Sequence, residues 1–205
     1  MTEPTPQGSP TQSTPPIGLL DGIRSGIVGA TLLARGHPEG IQQIAGDPDA
    51  ARTSFWSAAI CLPAMLVLRL WDAGGTTAGP AADAAQADPS LHGTLSVTLL
   101  YVVGWAGYAL LSRQVATVMG RQQRWPLFIA AWNWCNLIQY ALFTAAALPG
   151  WIGAPAWLGQ TLGIVALFWA MWLQWFATRI ALGIGRWTAI ALVALDVLMG
   201  IVLTG

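Results

Sequence analysis

One acid stands where an acid is hardest to keep. Asp196 lies ten residues beyond Arg186 in the apolar run RWTAIALVALDVLMGIVLT, which on a helix places it about 15 Å from the charged end. A carboxylate at that depth in hydrocarbon is expensive and normally faces a neighbouring helix or a water-filled cavity. Two chemistries fit it: a hydrogen-bonding clasp between helices, or a site for a proton or cation. A second polar group comes from residues 133–144, where Asn133, Asn136, Tyr140 and Thr144 fall within about 80° of one another on a helical wheel. Asn136 is ten residues from Pro126, close to the depth of Asp196, so the spacing predicts a hydrogen bond between them. Asp196, Asn136, Asn133 and Tyr140 form the candidate intramembrane cluster.

Other residues with chemical potential carry less. Tyr101, Gly104 and Tyr108 share a face of one run, and Gln160 and Gln174 share a face of another; hydroxyls and amides in a dry bundle point inward to find partners. Trp169, Trp172 and Trp175 recur at i, i+3 and i+6, an aromatic ridge suited to packing or lipid contact, with no axial ligand beside it for a haem. Gly159 and Gly163 make a GxxxG pair, which permits close helix approach and little else. Cys61 and Cys135 sit inside apolar runs and read as small filler rather than a disulfide or zinc pair. His37 and His92 are isolated loop residues. There is no HExxH, no GxSxG, and no Walker lysine because there is no lysine at all. No catalytic, cofactor-binding or metal residue is assigned, and the chain is expected not to be an enzyme.

The elements that must position these groups are membrane helices. At 55% hydrophobic and 9% charged, the 205 residues sit far from a soluble domain, in which about a quarter are charged. A crossing needs roughly twenty apolar residues. Five runs supply them, at about residues 54–71, 94–112, 126–148, 157–178 and 187–204, the first with Pro63 inside it. The fold class is an all-α polytopic membrane bundle of five transmembrane helices, residues 54–205, preceded by residues 17–53. Residues 1–16, rich in Pro, Ser, Thr and Gln, read as a disordered tail.

Residues 17–34, IGLLDGIRSGIVGATLLA, have nearly spanning length but contain Asp21 and Arg24, so they predict an amphipathic helix lying in the interface. Its apolar stripe is Leu20, Ile23, Ile27 and Ala30, and Gly18, Gly22 and Gly26 offer a ladder that could dock on a spanning helix. Downstream, Asp47 followed by Pro48 suits an N-cap and first helical position.

Arginines set the expected orientation. Arg24, Arg35, Arg52, Arg113, Arg121, Arg124, Arg179 and Arg186 fall on one side of the five runs, with Arg69 alone near the other, so the first group is cytoplasmic by the positive-inside rule. The N-terminus is then cytoplasmic and the C-terminus periplasmic. Trp56, Trp71, Trp125, Trp151, Trp157 and Trp187 stand at run ends, where an aromatic belt belongs. Arg24 and Arg35 are expected to contact lipid headgroups. Nine acids and nine basic residues cancel to zero net charge, and without a basic stripe no nucleic-acid partner is expected. The bilayer is the first partner, with other membrane proteins or a second copy as candidates.

The segment ending in ARGHPEG, the DPDA linker into SFWSAAICLPAMLVLRL and the five closely spaced runs resemble bacterial members of the Yip family of membrane proteins. FIAAWNWCNLIQYAL and WLQWFATRIALGIG are similar to stretches of small inner-membrane proteins of proteobacteria. The resemblance implies a five-span fold and a bacterial inner membrane, and no chemistry. The expected function is a non-enzymatic organising or adaptor protein; the alternative is a small transporter or channel subunit using Asp196 as a proton or cation site.

Overall fold

The computed structural model describes residues 18–74 and 91–204; the expected tail over residues 1–16 lies outside the described residues. Every regular element described is helical: α1 (Leu19–Ala34), a 3-10 helix (Pro38–Gln43), α2 (Pro48–Ser54), α3 (Trp56–Gly74), α4 (Leu91–Val118), a 3-10 turn (Gln122–Arg124), α5 (Trp125–Trp151), α6 (Ala156–Leu182) and α7 (Arg186–Thr204). Local chemistry explains the boundaries. Asp47 Oδ1 accepts the backbone N–H groups of Asp49 (2.9 Å) and Ala50 (2.8 Å), satisfying donors that a helix start leaves open, and Pro48 needs no donor there. Gly183, at φ 62°, closes α6 in the left-handed conformation that glycine adopts at no steric cost.

α4, α5 and α6 extend beyond their apolar runs at both ends. α4 continues to Val118, past the predicted end at Ser112, because backbone hydrogen bonding need not stop where hydrocarbon does. Four helical segments, Pro48–Leu68, Gly93–Val118, Ala156–Leu182 and Arg186–Leu203, are long and apolar enough to cross a membrane. α5 is not among those four, although it has 27 residues. It carries Asn133, Asn136 and Gln139, which lower its mean hydropathy.

The packing explains why α5 tolerates Asn133. Phe128 through Cys135 are all buried, more than two turns with no face left open. Its neighbours close a ring: α1 touches α2, α2 leads into α3, α3 touches α4, α4 touches α7, α7 touches α6, and α6 returns to α1. α5 runs through the middle, with its most extensive packing against α6.

α1 packs against α5, α2 and α6. Gly26 rests against the Trp134 indole, and a Cβ at Gly36 would lie 3.7 Å from Trp172. The buried face of α1 is Gly26, Gly29, Ala30 and Leu33. The expected stripe is met only in part: Ala30 is fully buried and Ile23 and Ile27 pack on the core, but Leu20 is 78% exposed. Small residues let α1 approach closely, so they, rather than the largest apolar ones, take the contact. The same economy seats the 3-10 helix, where a Cβ on Gly40 would come within 2.5 Å of the Gly29 carbonyl oxygen.

Candidate functional site: polar ties around α5

The polar residues of the candidate cluster meet neighbours on several sides of α5. Asn133, wholly buried, accepts a hydrogen bond at Oδ1 from Trp105 Nε1 on α4 (2.6 Å) and donates from Nδ2 to Ser54 Oγ at the end of α2 (2.6 Å). Ser54 Oγ in turn donates to the Ala51 carbonyl (2.6 Å). Three helices are joined by this chain, and both Asn133 amide atoms are used. Nearby, the Tyr101 hydroxyl donates to the Ala58 carbonyl on α3 (2.8 Å).

Asp196 on α7 accepts at Oδ2 from Trp132 Nε1 on α5 (3.0 Å). The expected partner, Asn136, instead accepts at Oδ1 from Gln174 Nε2 on α6 (3.3 Å), which corrects the predicted Asp196–Asn136 hydrogen bond. α7 packs on α4 and α6 and makes little backbone approach to α5. An asparagine side chain is too short for that gap, whereas an indole crosses it. The stripe formed by Asn133, Asn136 and Tyr140 therefore fans out, Asn133 towards α4 and α2, Asn136 towards α6, and Tyr140 onto aromatic rings.

Those rings fill the α4–α5 interface. Trp105 meets Trp132 edge to face, with centroids 5.2 Å apart, and stacks near Tyr140 at 6.5 Å. Tyr108 stacks on Trp132 at 4.6 Å. Two indoles thus lie between the Asp196 carboxylate and the Asn133 amide, each donating its N–H to one of them. Sequence reasoning named both acceptors and missed both donors. The available signal was that a buried indole needs a partner for its N–H.

Between α5 and α6, Asn136 Nδ2, Gln139 Nε2 and Gln174 Oε1 are buried without a hydrogen-bond partner among the described residues. The aromatic ridge on α6 divides its duties: Trp169 packs on the core, Trp172 stacks on Phe176 at 5.4 Å, and Trp175 turns to the α6–α7 turn. Cys61 and Cys135 are buried free thiols. His37 lies beside Glu39 at 3.1 Å in an exposed turn. Arg24 and Arg35 are exposed on and just after α1.

A family model for the Yip1 domain matches residues 37–205, from the 3-10 helix to the end of the chain. The chain belongs to the Yip1 domain family. As a Yip1-domain protein it is a membrane protein, in keeping with its apolar helices. The matched region includes every helix that ties to α5 through a side-chain hydrogen bond, and α1 lies before it. No curated protein and no solved structure matches the chain.

Proposed function

We propose that this Yip1-domain protein is a non-enzymatic organising or adaptor protein of a bacterial inner membrane. The observation that carries this reading is the use made of the intramembrane polar groups: Asp196, Asn133, Asn136, Gln174 and Tyr101 each hold one helix to another. In this reading α5 crosses with the other four spans. Its length, about 40 Å, exceeds the roughly 30 Å hydrocarbon core, and its amides never meet lipid in the enclosed half. α1 lies in the interface with Arg24 and Arg35 at headgroups, the N-terminus is cytoplasmic and the C-terminus periplasmic.

Purification in a gentle detergent tests it. A stoichiometric protein partner, lost when the exposed face of α1 is altered, supports an adaptor. The alternative, a small transporter or channel subunit in which Asp196 binds a proton or cation, is supported instead by ion flux through vesicles holding the pure chain alone.

A further inference from the structure

Residues 89–195 contain five arginines and no carboxylate. Arg113, Arg121, Arg124, Arg179 and Arg186 are all exposed and gather at one end of the bundle, on the last turns of α4 and α6, the α4–α5 turn and the start of α7. Among the described residues the ion pairs are His37–Glu39 and Arg52–Asp49, so none of these five is neutralised there. Such a concentration of one charge sign attracts anions unless something on the chain opposes it.

Four of the five guanidinium groups are held, not loose. Arg113 lies over the Trp125 ring at 5.6 Å, Arg179 over Trp175 at 5.5 Å and Arg186 over Trp187 at 5.6 Å. Trp125 and Trp175 are themselves anchored, donating N–H to Ser112 Oγ and to the Arg186 carbonyl, each at 3.2 Å. Arg124 reaches from the α4–α5 turn to the α6–α7 turn, donating from Nη2 to the Ile180 carbonyl (3.2 Å) and lying against Gly183. Glycine at 183 leaves room for that guanidinium. A guanidinium stacked on an indole keeps its N–H donors in its own plane, free for oxygen acceptors.

We infer that this end of the bundle binds the phosphate of an anionic phospholipid, with Arg124, Arg179 and Arg186 around the α6–α7 turn as the donors. Basic clusters between membrane helices suit such headgroups. The adjoining surface suits the acyl chains, since Trp187 is 72% exposed and Ile190 45% on the first turns of α7. Free phosphate offers the same oxygens without the chains. The site is separate from Arg24 and Arg35 on α1 and does not depend on the adaptor reading.

The test is native mass spectrometry of the full chain released from detergent with phosphatidylglycerol, phosphatidylcholine or inorganic phosphate. The unaltered chain retains phosphatidylglycerol in preference to phosphatidylcholine, and the triple variant Arg124→Gln/Arg179→Gln/Arg186→Gln loses about 100-fold in that affinity, while Arg52→Gln, which removes a guanidinium already paired with Asp49, keeps it. Equal retention of the two lipids, an unaffected triple variant, or inorganic phosphate binding as tightly as the lipid overturns the proposal. A second measurement needs no variant: phosphatidylglycerol raises the unfolding midpoint of the unaltered chain, and the rise vanishes at 1 M salt, where charges are screened within about 3 Å. No rise at low salt also overturns it.

Discussion

The Trp132 indole on α5 donates to the Asp196 carboxylate on α7 at 3.0 Å, a direct side-chain tie between those two helices. Trp132→Phe and Asp196→Ala should therefore be coupled. A double-mutant cycle on unfolding in mixed micelles should return about 0.6 kcal/mol and no more than about 1.7. Additive effects would mean that the two side chains do not meet.

Asn133 and Asn136 are one helical turn apart, yet their replacement should differ. Asn133→Leu strands the buried Trp105 N–H and takes the donor from Ser54 Oγ, which keeps its own bond to the Ala51 carbonyl, a loss of about 1–3 kcal/mol for the stranded polar group. Asn136→Leu strands Gln174 Nε2, but the bond it breaks is the longer one at 3.3 Å and the amide removed already has an unpartnered Nδ2, so the loss should be smaller. Denaturation of the two variants side by side decides the matter, and an equal loss counts against the network.

Glycines divide in the same way. A Cβ on Gly26 strikes the Trp134 indole, and Trp134 is 2% exposed with nowhere to turn. Gly26→Ala should loosen α1, at about 1–3 kcal/mol for overpacking, seen as faster proteolysis within residues 19–34. On α6 a Cβ at Gly159 or Gly163 meets no described atom within 4 Å. Alanine at either should be neutral or stabilise by up to about 1 kcal/mol, despite their GxxxG spacing.

In the proposed arrangement, five crossings put the chain ends on opposite sides. A reporter fused after Gly205 should behave as periplasmic while one at the N-terminus behaves as cytoplasmic. If both report the same side, α5 or α1 has been placed wrongly.

Much of the architecture is legible in the residues. The runs at 94–112, 157–178 and 187–204 lie within α4, α6 and α7, and the Asp47–Pro48 start is written in two adjacent side chains. Partner choice is not. A helical wheel gives the angle of Asn136 on α5 but says nothing of which helix stands at that angle, and α5 has neighbours on every side. Depth alone paired Asn136 with Asp196; the wide α5–α7 spacing, set by how α7 packs on α4 and α6, hands that acid to an indole instead. α1 shows the same limit, since its largest apolar residues mark an amphipathic helix while its smallest ones make the contact.

Asp196→Asn in the full chain is the most direct test of an acid that serves as a tie. The amide oxygen can still accept from Trp132, so the unfolding midpoint, the retained partner proteins and the proton or cation permeability of vesicles should all stay close to those of the unaltered chain. A variant that is as stable as the original but abolishes an ion flux the original supports would contradict the tie and make Asp196 a transport site.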